Sequence, residues 1–167
     1  MTKNFQQFLN DLGARESGGN YKAFNKYGYV GKYQMGEAAL VDAGFYTKAS
    51  KRYNNDWSGT FTGKDGVYSI QDFLNNKQSQ ENAQIIFKKK QWGYLKAVGA
   101  DKYVGKTING YQITPSGLLA GAHLKGAGSV ITYLKSGGTN IGEDAFGTSV
   151  ESYMKKFAGY DVSAITG

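Results

Sequence analysis

Hydrophobic positions recur with helical spacing at the start, in the middle and near the end of this chain, with irregular stretches between. Phe5, Phe8, Leu9 and Leu12 fall on one helical face and predict a helix over residues 3–15, closed by Gly18 and Gly19. Residues 20–36 lose the period and are rich in Gly, Tyr and Asn, as a loop is. Residues 37–43 read as a short helix stopped by Gly44. Between 45 and 66 stand Asn54-Asn55-Asp56, Ser58-Gly59 and Asp65-Gly66, all turn signals. An excursion of that length is expected to form part of a cleft or a lid. Ser69 followed by Asp72 resembles a capping box and opens a helix over 70–75.

The longest helical pattern covers residues 79–98, with Ala83, Ile86, Phe87, Tyr94, Leu95 and Val98 as its expected core face. Ile108-Asn109-Gly110-Tyr111 is a hairpin turn between short strands. Thr114-Pro115 places a capping hydroxyl before a proline at the first helical position. The segment after it, residues 117–122, is apolar all round, which predicts a buried central helix. Two further helices are expected over 129–134 and 149–157, the last closed by Gly159. The pattern as a whole is mainly α, a helical body with a small hairpin- and loop-rich lobe.

Composition narrows the chemistry. A length of 167 residues suits one domain over 1–167, and 40% hydrophobic residues supply a core. Cysteine is absent, which excludes disulfides, a thiolate nucleophile and cysteine-ligated zinc. A single histidine, His123, argues against a histidine metal site, so neither metal nor cofactor is expected. The net charge of +7 favours polyanionic partners: nucleic acid, anionic membrane or the bacterial cell wall. No helix-turn-helix, RNP-like or zinc pattern accompanies the charge, so nucleic acid is not the expected partner. No apolar run reaches the ~20 residues of a membrane helix, so membrane insertion is not expected either. The start, Met-Thr-Lys-Asn-Phe-Gln-Gln, lacks the apolar core of a signal peptide. The expectation is synthesis in a cytoplasm, with release or injection by another agent if the protein works outside.

Glu16 stands out at the end of the first helix, before Ser17-Gly18-Gly19. A helix C-terminus carries partial negative charge and disfavours an ionised carboxylate, and partial burial adds to this. A carboxyl kept protonated near neutral pH can donate a proton to a glycosidic oxygen. Glycines nearby let a bulky substrate approach, and Tyr27, Tyr29, Tyr33 and Trp57 offer flat faces for sugar rings. The competing reading is a solvated helix-end carboxylate, and for each aromatic a place in the core.

The spacing of Glu16-Ser17, Gly28 and Gly31-x-x-Gln34 resembles that of the soluble lytic transglycosylase and goose-type lysozyme group. That family has a Glu-Ser pair at a helix end and a Gly-Leu-Met-Gln segment at this same distance. Its later Ala-Ala-Tyr-Asn-Ala-Gly segment aligns without gaps on Gly121-Ala122-His123-Leu124-Lys125-Gly126-Ala127-Gly128-Ser129-Val130. The wording from Gly28 to Leu40 also resembles lysozyme domains carried by phages and secretion spikes. Residues 45–113 match the family only in being helical and loop-rich.

The resemblance implies an α+β lysozyme-like fold with a substrate cleft. It implies Glu16 as the catalytic acid, Gln34 as a sugar-binding or site-steadying amide, and Ser17 as a structural companion of the acid. His123 falls where the family has a tyrosine beside the acid, and Leu124 replaces an asparagine. A histidine there can still hydrogen-bond the acid; its plain alternative is a core histidine with its bonds satisfied.

Hydrolysis calls for a second carboxylate, ~5–5.5 Å from the acid for retention or ~6.5–9.5 Å for inversion. Asp65, Asp56 and Glu37 are the candidates, each with an ordinary alternative as a turn or helix-start residue. The lytic transglycosylases need only one acid, because the muramic 6-hydroxyl attacks its own anomeric carbon. The basic run Lys88-Lys89-Lys90 reads as a solvated helix face, or as a hold on anionic wall polymers. The expected partner is the peptidoglycan glycan strand, with the domain fused to or carried by a larger delivery protein. The expected activity is muramidase-type cleavage between N-acetylmuramic acid and N-acetylglucosamine. Its alternatives are anhydro-forming cleavage and a non-catalytic wall-binding or phage structural role.

Overall fold

Capping chemistry and glycine placement set most of the element boundaries. The computed structural model describes residues 2–49, 53–144 and 146–167. Met1 and residues 50–52 of the expected excursion therefore lie outside the described part. About 52% of the chain is helical and its strands are few and short, so the fold is mainly α.

Among the described residues, seven α-helices run in order: α1 (Phe5–Ser17), α2 (Glu37–Asp42), α3 (Ile70–Leu74), α4 (Lys77–Ala97), α5 (Pro115–Lys135), α6 (Val150–Lys156) and α7 (Ser163–Thr166). Two antiparallel pairs accompany them. Strand β1 (Tyr46–Thr47) pairs with β2 (Thr60–Phe61), with Tyr46 opposite Phe61, and β3 (Thr107–Ile108) pairs with β4 (Tyr111–Gln112). Short 3-10 turns occur at Lys64–Gly66 and Ala100–Tyr103.

The chain divides into two compact units. One comprises Asn10–Lys90; the other comprises the residues up to Leu9 together with Gln91–Gly167. We call them the N-terminal and C-terminal units.

In the C-terminal unit the core is built on α5 and α6. Thr114 caps α5, its hydroxyl accepting from Gly117 N at 3.1 Å, and Pro115 takes the first helical position. Residues 117–122 are all buried, as their apolar run requires. Gly117 and Gly121 allow the close approach of α6. A Cβ on Gly117 would lie 2.8 Å from the Met154 carbonyl oxygen, and one on Gly121 would lie 3.0 Å from Met154 Cγ. The expected separate helices over 117–122 and 129–134 are one continuous element with a break at Gly126, whose φ of 83° and ψ of 163° leave the helical region. The hairpin turn at Asn109-Gly110 is as expected, with both residues at positive φ.

In the N-terminal unit the core holds Leu12, Val30, Met35, Leu40, Phe45, Val67, Phe73 and Ala83, among others. Ser69 caps α3 by accepting from Asp72 N at 3.1 Å, and the Asp72 carboxylate accepts from Tyr68 N at 2.9 Å. The excursion over 45–66 contains the β1–β2 pair, which turn signals alone did not reveal.

The burial of α4 departs from expectation in two ways. Tyr94 and Val98, expected in the core, are exposed, and Ile86 and Phe87 are half-buried. Lys88, read as part of a solvated basic face, is fully buried, while Lys89 and Lys90 are exposed. The apolar pattern does not fix the face of α4 because part of the buried face is polar: Gln80, Gln84 and Lys88, one turn apart, are all buried.

Candidate functional site

The end of α1 and the turn after Val30 meet in the N-terminal unit. Gly18 and Gly19, at φ 68° and 78°, end the helix in the left-handed region. Asn10, Gly13 and Ser17 share one helical face by their spacing, and all three receive Lys32. The Lys32 Nζ donates to Asn10 Oδ1 at 3.1 Å. A Cβ on Gly13 would stand 2.6 Å from Lys32 Cε, so only glycine leaves room for the lysine stem. Ser17 Oγ donates to the Lys32 carbonyl at 2.7 Å and accepts from Asn20 N at 3.0 Å.

The turn itself is tight. Val30 and Met35 exchange backbone bonds of 3.0 and 2.9 Å around Gly31-Lys32-Tyr33-Gln34. Gly31 has φ 79°, and its missing Cβ leaves space for Gln80 Oε1, which would lie 2.4 Å away. That oxygen accepts from Lys32 N at 2.9 Å. Gln34 is half-buried and holds φ at 50°, a conformation that a non-glycine residue adopts at some cost and that recurs at functional sites. Its Nε2 donates to the Gly31 carbonyl at 2.9 Å, so backbone and side chain are both fixed.

Glu81 of α4 anchors the turn from below. It accepts from Lys32 Nζ at 2.8 Å and from the hydroxyls of Tyr21 and Tyr33. Burial would raise the Glu81 pKa, but these three donors outweigh it and hold the carboxyl below the usual glutamate value. Tyr21 is pushed up to about 12, first by burial and then by its bond to Glu81. Tyr33 is raised for the same reasons. Tyr33 is only 1% exposed, so its ring belongs to the core and is not offered to a sugar, contrary to its expected part in substrate binding.

Glu16 is the penultimate residue of α1 and half-buried. Its charge reaches Lys88 of α4. Burial drives the Lys88 ammonium well below the ordinary lysine pKa, and Glu16 pulls it part of the way back. The charge of the carboxylate expected to sit against a helix terminus and glycines thus also acts on a buried amine.

The other expected site residues are distributed as follows. Glu37, at the start of α2, is 2% exposed rather than solvated, which removes it as an acid facing substrate. Its Oε2 accepts from the Tyr46 hydroxyl at 2.7 Å, while Oε1 is buried with no hydrogen-bond partner. Burial and that bond push Tyr46 up to about 12. Asp56 is exposed and accepts from Ser58 N at 3.0 Å and Ser58 Oγ at 2.7 Å; the hydroxyl bond, then the backbone bond, hold its carboxyl below the usual aspartate value. Asp65, at φ 53° in its 3-10 turn, accepts from Asn82 Nδ2 at 3.1 Å. Both aspartates are turn residues, as their ordinary alternative has it.

Trp57 is half-buried. Its Nε1 donates to the Gly28 carbonyl at 2.8 Å, and its ring packs on Tyr46 and Phe61. Tyr27 and Tyr29 are exposed at 42% and 37%, which leaves their faces accessible. His123 lies in the first half of α5, half-buried, in the C-terminal unit.

Lys32, Gln80, Glu81, Gln84 and Lys88 were missed by sequence reasoning. The signal for three of them was the four-residue spacing of Gln80, Gln84 and Lys88, a polar stripe on a helix whose other faces are also polar. Among the described residues no three His, Cys, Asp or Glu side chains gather as a metal site, and no helix is long and apolar enough to cross a membrane. Compared with protein-family models, curated protein sequences and solved structures, the chain matches none of them.

Proposed function

We propose that this protein cleaves peptidoglycan glycan strands between N-acetylmuramic acid and N-acetylglucosamine, with Glu16 as the general acid. The observation that carries this reading is the hydrogen bond from Ser17 to the Lys32 carbonyl. It joins, in space, the two segments whose spacing resembles the lytic transglycosylase and goose-type lysozyme group. Glu16 precedes that bond by one residue, and Gln34 follows Lys32 in a turn fixed at both ends.

The role of each group follows from its chemistry. The Glu16 carboxyl donates its proton to the departing glycosidic oxygen as the anomeric carbon gains positive charge. Gln34, rigid in its left-handed conformation, orients a sugar substituent. Tyr27 and Tyr29 stack on sugar rings. The positive net charge draws the protein to the anionic wall.

Hydrolysis remains the first reading of the outcome. Anhydro-forming cleavage is the second, and a specific observation favours it: each proposed second carboxylate is engaged elsewhere, Glu37 inside the core on Tyr46, Asp56 on Ser58 and Asp65 on Asn82. The test is mass analysis of fragments released from purified peptidoglycan, with Glu16→Gln as control. Reducing muramic ends mean hydrolysis. Ends lighter by one water mean an anhydro ring. Wall binding with no released fragment means a binding module and overturns the proposal.

A further inference from the structure

Helix α2 starts without a cap of its own. Gly36 stands at the capping position, and its φ of −95° is open to any residue. Serine or aspartate there would cap the helix locally. What glycine supplies instead is space. A Cβ on Gly36 would stand 2.9 Å from Tyr29 Cε1 and 2.6 Å from Asn55 Oδ1, so the ring and the amide converge on one place. The ribbon brings the ring there. Val30 and Met35 exchange backbone bonds, and Tyr29 and Gly36 are the next pair outward. In such a non-hydrogen-bonded pair the side chains approach most closely.

Asn55 makes good the missing cap from a distance. Its Oδ1 accepts from Glu37 N, at the start of α2, at 2.8 Å. A Cβ on Gly28 would stand 2.8 Å from the Asn55 Cβ, so the residue before Tyr29 is also a glycine that admits Asn55. Trp57 fastens the same segment, its Nε1 donating to the Gly28 carbonyl at 2.8 Å. Asn55 and Trp57 hold φ at 57° and 56°, a left-handed conformation that persists where the surroundings enforce it. From the other side, Tyr29 N donates to Asn25 Oδ1 at 3.0 Å. The Tyr29 ring is thus fixed in place and still 37% exposed.

We propose that Asn55 is a positioning residue for Tyr29: held by Gly28 and Glu37 N, its amide borders the ring over Gly36 and keeps it as a platform for one sugar face of a glycan. This rests on the reading of the N-terminal unit as glycan-binding.

The test is calorimetric binding of the N-acetylglucosamine tetramer, a soluble glycan, to the full chain carrying Glu16→Gln, so that nothing is cleaved. Tyr29→Ala is expected to weaken binding about fivefold or more, as truncation of an aromatic anchor does. Asn55→Gly removes the cap and the amide but relieves the left-handed strain, so it is expected to fold and to bind more weakly. Asn55→Asp keeps an acceptor for Glu37 N and is expected to recover most of that loss. The double variant Tyr29→Ala with Asn55→Gly is expected to bind no worse than Tyr29→Ala, because Asn55 then has no ring to position. A merely structural Asn55 would give losses that multiply. Multiplying losses, an aspartate that recovers nothing, or a tetramer that does not bind overturns the proposal. If the expected pattern appears while the chain with Glu16 intact releases no peptidoglycan fragments, the platform stands and the cleaving reading falls. If fragments are released and the losses multiply, the cleaving reading stands and the platform falls.

Discussion

Ser17 Oγ donates to the Lys32 carbonyl at 2.7 Å, and this bond ties the end of α1 to the turn that carries Gln34. Neighbouring bonds reinforce it: Lys32 N to Gln80, and Lys32 Nζ to Glu81 and Asn10. Ser17→Ala leaves a carbonyl without its partner in a part-buried place. The expected loss is about 1–2 kcal/mol in chemical denaturation. Fragment release should fall by more than wall binding does, because the turn moves relative to Glu16 while the rest of the surface is intact. A variant with wild-type stability and wild-type cleavage would show that the bond neither stabilises the unit nor positions the acid.

Glu81 binds three donors, and its removal leaves Lys32, only 6% exposed, without its carboxylate. Breaking a buried pair from one side costs about 3–5 kcal/mol, and that is the loss expected for Glu81→Ala. The pH dependence follows from the lowered pKa. The unfolded chain binds the Glu81 proton near 4.5, and the folded chain binds it at a lower pH. The stabilisation is therefore complete above 4.5 and is lost as pH falls through the folded value. Thermal midpoints of wild type should drop across that window more steeply than those of Glu81→Gln. Parallel curves would remove Glu81 as the source of the acid sensitivity.

Legibility from sequence followed the kind of signal each residue gives. The caps Ser69 and Thr114, the turn Asn109-Gly110 and the amphipathic face of α1 were legible because each is a local preference of a few adjacent residues. The mainly α fold was legible for the same reason. The face of α4 was not, because burial there is decided by tertiary partners: Gln80 accepts from the backbone of Lys32, and its Nε2 donates to the carbonyls of Tyr21 and Phe73. Lys88 beside Lys89 and Lys90 looks like solvated charge until the helix phase is known. Glu37 misled in the same way, since its hydrogen bond comes from Tyr46, a strand residue that a turn-rich sequence did not announce. Motif spacing singled out Glu16, Ser17 and Gln34 as candidates, while the bonds of Ser17 to Lys32 and of Lys32 to Gln80 and Glu81 are long-range and have no local signal.

Replacing Lys88 should alter stability with a definite sign. Burial holds the folded pKa well below the ordinary 10.5. Above 10.5 the lysine is neutral in both states and carries no penalty. As pH falls below 10.5 the unfolded chain takes up the proton first, and the folded state loses relative stability until its own amine is protonated. Lys88→Met has no such titration. Its denaturation midpoint should match or exceed that of wild type at neutral pH, and the gap should narrow as pH rises towards 10.5. A gap that does not change with pH would mean that the lysine acts through packing alone.

Gly31 is the turn residue least able to change. Its φ of 79° costs a side-chain-bearing residue about 1–2 kcal/mol. A Cβ there would also stand 2.4 Å from Gln80 Oε1, which is the acceptor for Lys32 N. Gln80 cannot withdraw without cost, because its Nε2 is bonded to the carbonyls of Tyr21 and Phe73 at 2.8 and 2.9 Å. Overpacking of a fixed site adds about 1–3 kcal/mol, so Gly31→Ala should lose about 2–5 kcal/mol in all. The double variant Gly31→Ala with Gln80→Ala separates the two contributions. Removing the Gln80 amide relieves the clash but leaves the left-handed strain, so the double variant should lose less than the sum of the single variants. Strict additivity would mean that the alanine methyl and the Gln80 amide do not compete for the same space.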